Sequence, residues 1–299
     1  MTKIIELRHG GAFVRVAPAL GARVTRCCLP DAQGRPVELF HPYPEGHVDL
    51  LHWAKGGMYP LTPYWGRIGQ AQLQYAGERF ALQPHPQALP HTLHGTAHQA
   101  AWMVMNTDDA RLTLRLNKSP DAHWPWRYEA EMTITLGRAS LRVAISVRND
   151  DALSMPAGIG LHPYLGCQHS PRLQFAARRC WVMTPDFLAI RAAPVDVAES
   201  FRAARSPGLA EFTRCYSDWD GRFMLTGGTE RSPSLRIVAS STLDHLVVHR
   251  PAGAPYLCVE PVSHTADAFN LAAAGLADTG TRVLAPGQSL RGVVEFALE

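Results

Sequence analysis

Four short stretches hold side chains that could move a proton or grip a polar ligand. A-G-I-G-L-H-P-Y-L-G, residues 157–166, sets His162 among small and apolar neighbours with no acid or cysteine nearby. Y-L-C-V-E-P-V, residues 256–262, ends an apolar run on Glu260. A histidine titrates near neutrality, and a carboxylate at the edge of an apolar strand is open to pKa tuning, so the two types together suit general acid–base work. Each has a plainer reading: His162 as a satisfied core histidine, Glu260 as a strand-end partner in a surface ion pair. P-Y-W-G-R-I-G-Q-A sets Arg67 between Gly66 and Ile68-Gly69. That context offers a close backbone approach and a five-donor fork, or simply a surface arginine in a turn.

The fourth stretch, P-H-T-L-H-G-T-A-H-Q, clusters His91, His94 and His98, with His85 just before it. Neutral imidazole is a common metal ligand. His94 and His98 would share a helix face, but Gly95, Thr92 and Thr96 argue against a helix, and L-H-G reads as a strand ending in a turn. H-E-x-x-H is absent, as is an H-x-H pair with a following glutamate. The spacing therefore predicts no metal centre, and a hydrogen-bonding role for His94 is the better expectation.

These residues need a scaffold, and the chain supplies period-two alternation. K-I-I-E-L-R-H, A-F-V-R-V-A-P, A-R-V-T-R-C-C-L-P, R-L-T-L-R-L-N, E-A-E-M-T-I-T-L-G, S-L-R-V-A-I-S-V-R-N, S-L-R-I-V-A-S and G-V-V-E-F-A-L-E all read as half-buried strands. Q-L-Q-Y-A-G-E-R-F-A-L reads as a hairpin turning near Ala76, Gly77 and Glu78. Residues 268–277 are the best helical candidate. Segments 41–66 and 184–220 show little pattern and read as long, functional loops. The expectation is an all-β chain, one continuous antiparallel domain over 1–299, built as a large sandwich of twisted sheets.

Composition narrows the partners. The chain has 299 residues, 46% hydrophobic, with a formal charge of +3 and no run of basic residues, so neither nucleic acid nor a membrane surface is expected. No apolar run approaches the ~20 residues of a membrane helix, and M-T-K-I-I-E-L-R-H-G lacks the apolar core of a secretory signal. Cys27, Cys28, Cys167, Cys180, Cys215 and Cys258 form no C-x-x-C pair and read as reduced thiols, which fits a cytoplasmic location.

The order G-R-I, L-H-G, G-x-x-x-H-P-Y and C-V-E-P-V-S-H-x-x-D-A-F-N resembles the aldose 1-epimerase, or galactose mutarotase, family over nearly the whole chain. C-V-E-P-V-S-H and D-W-D-G-R-F look most like a bacterial branch of epimerase-like proteins. The resemblance implies a galactose mutarotase-type β-supersandwich that interconverts α and β anomers of a sugar without a cofactor. It implies His162 as catalytic acid, Glu260 as catalytic base, and Arg67 and His94 as substrate-binding residues. Two positions depart from the pattern. Gly66 stands where the family often has asparagine, and Thr213 stands where it has a substrate-binding aspartate, with Asp218 and Asp220 near but out of register. Trp65, Trp124, Trp126 and Trp219 could stack on a sugar, although each is an ordinary core residue by type. A hexose-6-phosphate epimerase would need more arginines around its phosphate. A non-catalytic sugar-binding protein and a metal-dependent enzyme are the remaining alternatives. Oligomeric state is not legible.

Overall fold

The structure, a computed structural model, describes residues 3–166, 171–208, 210–227 and 233–299. It is all-β and antiparallel, a large β-supersandwich. An eleven-stranded sheet packs on an eight-stranded one, with two small two-stranded sheets beside them. The eight-stranded sheet is where the alternating segments fall. Tyr128–Leu136 and Ser140–Asn149 pair along their length, and Ser140–Asn149 also pairs with Ser289–Leu298. Every second residue of these strands is buried, because one face meets the core and the other meets water. The expected hairpin forms from Gln72–Tyr75 and Glu78–Ala81, with Ala76 and Gly77 both at positive φ. The expected helix is shorter than its sequence signal, Ala268–Ala273, and it stops before Gly275, whose φ is +85°.

The middle of the eleven-stranded sheet carries the strands that matter for function. In spatial order they are Met58–Leu61, Gly160–Gly166, Tyr256–Val262, His245–Arg250 and Phe212–Ser217. Both faces of these strands are covered. Leu161, Leu165, Leu257, Val259, Leu246 and Val248 point into the core shared with the other sheet. The intervening Tyr164, Cys258, Val262, Val247 and Cys215 point the other way, into a second cluster roofed by Tyr43, Trp53 and Trp65.

This arrangement corrects three expectations. The segment 41–66 is not all loop, since Met58–Leu61 is a fully buried central strand. The segment 184–220 contains the strands Ala189–Pro194 and Phe212–Ser217. L-H-G is an irregular turn rather than a strand end, with His94 and Gly95 both at positive φ. Strands buried on both faces lose the polar-out alternation by which a sequence announces them. Five of the six cysteines are buried free thiols, and Cys167 lies outside the described residues.

Candidate active site

Between Gly160–Gly166 and Tyr256–Val262 the ladder pairs Gly160 with Val262 and Tyr164 with Cys258. That register sets His162 opposite Glu260, and the ladder lapses there. Pro163 and Pro261 have no N–H to donate, so the strands are free to part at this point. Glu260 does not end its strand, as the sequence suggested. It lies inside it, 3% exposed.

His162 Nε2 is 3.3 Å from Glu260 Oε1. The imidazole packs against the rings of Tyr59 and Tyr164, at centroid distances of 4.8 and 4.7 Å. Its Nδ1 is buried without a protein partner. Burial, with the positive charges of Lys55, His249 and Arg23 adding to it, holds His162 well below the ordinary histidine value. Burial pushes Glu260 up to about 8, against the opposing hydrogen bond that Trp65 Nε1 donates to Oε2 at 2.7 Å. Both shifts disfavour charge and favour the neutral pair, with one proton held between Nε2 and Oε1 and the imidazole's own proton on Nδ1.

The roof is built by the loop carrying Trp65 and Arg67. Much of the C-terminal S-H-T-A-D-A-F-N stretch serves to hold it. His264 Nε2 accepts from the Trp65 N–H at 3.1 Å, and its Nδ1 donates to the Thr265 carbonyl. Asp267 accepts from the Gly69 N–H at 2.9 Å, and its own N–H donates to the Arg67 carbonyl. Asn270 bonds Asp267 and the Gln72 carbonyl. Gly66 has φ +69°, and a Cβ there would press on Ala266 at 3.2 Å, which explains a glycine in this turn.

His94 stands edge-on to His162, with centroids 5.2 Å apart. Its N–H donates to the Gly66 carbonyl, and its Nδ1 accepts from the Gly66 N–H at 3.3 Å. Burial first, and then the positive charges around it, keep it neutral. The remaining proton therefore sits on Nε2, leaving a donor for a ligand. Arg67 donates to the Asp186 carbonyl and lies 5.0 Å over the Phe187 ring. The Asp186 carboxylate is held by His91 Nε2 at 2.7 Å.

Arg67, His94, His162 and Glu260 line one open cleft of about 250 Å³, room for a small polar ligand rather than a chain of them. Of the four tryptophans considered, Trp65 lines it, and Trp124, Trp126 and Trp219 belong to the core. Thr213 also lines it and shares a 2.8 Å hydrogen bond with His249 Nδ1. Asp218 does not, being bonded to Arg179, and Asp220 caps the Arg222 N–H elsewhere. Trp53, Lys55, Tyr164, His249 and Cys258 are also among the lining residues, and sequence reasoning named none of them as site residues. Only an i, i+2 rule applied outward from His162 and Glu260 would have found Tyr164 and Cys258.

The histidine run makes separate contacts, although His85, His94 and His98 all pack around the Trp53 ring. His91 holds Asp186, His98 stacks on Tyr59 at 5.2 Å, and His85 meets the Trp53 edge. The donor atoms that do come close, within 4.8 Å, are those of His162, Cys258 and Glu260. Burial keeps the Cys258 thiol well above its ordinary value, and a metal would need it as thiolate. The set fits proton transfer better than ligation.

A model of the family described as aldose 1-epimerase matches residues 3–297. The chain belongs to the aldose 1-epimerase family. The fold is shared across wide sequence distance. A galactose mutarotase-like protein from Clostridium acetobutylicum superposes with a TM-score of 0.85 at 16% identity, covering 100% of this chain and 95% of that one. The GalM/aldose epimerase homologue of C. elegans gives 0.82 at 17% identity, covering 100% and 99%. Among curated sequences, the uncharacterized protein YphB of Escherichia coli is 29% identical over 132 residues, 44% of each chain. The alignment thus spans less than half the length of that relative. Family and fold are thus those of the aldose 1-epimerases.

Proposed function

We propose that the protein interconverts the α and β anomers of a free aldose, with His162 as acid and Glu260 as base. The 3.3 Å approach of His162 Nε2 to Glu260 Oε1 inside one sugar-sized cleft carries this reading. With a sugar bound, the shared proton sits on His162 Nε2 and Glu260 is a carboxylate. Glu260 takes the proton of the C1 hydroxyl as His162 protonates the ring oxygen. The C1–O5 bond breaks and a C1 carbonyl forms. The pair has then gained one proton and given one, so its total is unchanged. Rotation about C1–C2 presents the other face of the carbonyl to the ring hydroxyl. Reclosure returns the proton from Glu260 to O1 and the proton from O5 to His162. No electron leaves the sugar, and no group beyond the two side chains is required.

Three features support these roles. The Tyr59 and Tyr164 rings fix the plane of His162. A hydrogen bond from Trp65 occupies Oε2 of Glu260 and leaves Oε1 for the proton. The Nε2–H of His94 and the guanidinium of Arg67 are placed to hold sugar oxygens, because both line the cleft and neither is consumed by a carboxylate. Each positioned acid or base typically contributes on the order of 10²–10⁴-fold. The test is exchange between α and β resonances of a free aldose, followed by NMR with and without the protein. Sugars that bind but exchange no faster than in buffer would end the catalytic reading.

A further inference from the structure

The charges around the cleft are lopsided. Glu260 is the one carboxylate among its described lining residues, and its proton balance is tied to His162. Against it stand Lys55, Arg67 and Arg214. Arg214 is neutralised, because its Nε bonds Glu199 at 2.6 Å. Arg67 is partly committed to the Asp186 carbonyl and the Phe187 face. Lys55 differs from both. The chain has only three lysines, Lys3, Lys55 and Lys118, and Lys118 pairs with Asp121 at 2.7 Å. Among the described residues no carboxylate pairs with Lys55. Its ammonium lies 4.6 Å over the Trp53 ring and 3.4 Å from Gln87 Oε1. Gln87 is oriented in turn by donating through Nε2 to the Leu51 carbonyl.

Lys55 is exposed on its outer side, yet burial on its inner side draws its pKa down. Its charge is felt by His94, His162, His249 and Cys258, which surround the floor of the cleft. The Trp53 face and the Gln87 carbonyl offset part of its charge, and a cation over a ligand cleft with no acid beside it leaves the rest for a bound anion. One ammonium beside one carboxamide suits a single negative charge. A phosphate dianion calls for several donors, and an arginine fork above all.

Resting on the epimerase reading, we infer that the substrate is a monoanionic aldose, a sugar acid whose carboxylate is met by Lys55 at the mouth while C1 faces His162 and Glu260. The carboxylate accepts from the Lys55 ammonium. The hydroxyls remain for His94, Arg67 and the Thr213–His249 pair.

The test compares anomer exchange by NMR for galacturonate and glucuronate, their neutral parents galactose and glucose, and glucose 6-phosphate. A hexuronate should show kcat/KM about tenfold or more above its neutral parent. Its KM should rise with salt while the neutral sugar's does not. Lys55→Met, at an exposed position, should bring the ratio close to one. Neutral hexoses turned over as well as the acids, a ratio unmoved by Lys55→Met, or a preference for the phosphate ester would each overturn the inference and leave the epimerase reading standing. If no sugar exchanges, the epimerase reading falls. Hexuronate quenching of tryptophan fluorescence, weakened in Lys55→Met, would then still establish the anion site, and no quenching would remove it.

Discussion

His162 and Glu260 face each other across two neighbouring central strands, Nε2 to Oε1 at 3.3 Å, where Pro163 and Pro261 interrupt the ladder. Their types suit acid–base chemistry, and the gap gives that chemistry room. Replacing either should therefore remove turnover and spare binding. Glu260→Gln and His162→Asn are each expected to slow anomer exchange by roughly 10²-fold or more while sugar still binds. The double variant should be little worse than the worse single one, because one proton path is broken in each case. NMR exchange rates beside binding titrations would check this, and a Glu260→Gln protein exchanging at the parental rate would refute the base assignment.

The pH profile should betray the buried carboxyl. Glu260 is pushed up to about 8 by burial, with the Trp65 bond working against the rise. The pair acts with one shared proton, on His162 while Glu260 is ionised, so kcat/KM should fall as pH rises through an apparent value well above the ordinary carboxylate range, one that belongs to the pair, where that proton is lost. Trp65→Phe removes the donor that favours the ionised form. The limb should then move to higher pH. A limb near the ordinary glutamate value would refute the burial argument.

Stability should fall on acidification. Burial holds His94, His98 and His162 well below the ordinary histidine value, and His85 and His264 at about 4. Below about pH 6.5 the unfolded chain takes up protons at these sites and the folded chain does not, so the contribution present above that pH is lost as pH drops toward 4. Glu260 has the opposite sign between its unfolded value and about 8, but it is one group against five. Thermal melts from pH 7 to 4.5 should show a decreasing Tm. A flat curve would mean these histidines titrate normally.

Chelation should leave exchange intact, although His162, Cys258 and Glu260 approach within 4.8 Å. Two of the three are needed for protons, and burial keeps the third as a thiol. Dialysis against a strong chelator, followed by exchange rates and elemental analysis, decides it. Cys258→Ser should also exchange near the parental rate. Activity lost with a stoichiometric metal and restored by it would replace the proton-only mechanism.

Asp267 acts through the loop it anchors. It accepts from the Gly69 N–H and from Asn270, and its own N–H donates to the Arg67 carbonyl. Asp267→Ala should loosen Trp65 and Arg67 together, at a cost of about 1–3 kcal/mol for the unsatisfied groups. We expect a raised KM and a lowered kcat with the far-ultraviolet spectrum unchanged. Asp267→Asn, which keeps an acceptor, should recover part of both.

The sequence by itself determined the half-buried strands, the Gln72–Ala81 hairpin and the all-β class, because those strands keep one face wet and write it as alternation. It also supplied the four short motifs, whose order pointed to the family. Met58–Leu61 was invisible as a strand because both its faces are covered, and Phe212–Ser217 because its half-buried Phe212, Thr213 and Arg214 run together instead of alternating. Only the tertiary structure decided which motif residues meet. It brought Trp65 onto Glu260, set Lys55 over Trp53 and paired Thr213 with His249, while sending Asp218 to Arg179 and the histidine run to separate tasks. Those outcomes rest on register between strands distant in the chain, and no local pattern encodes it.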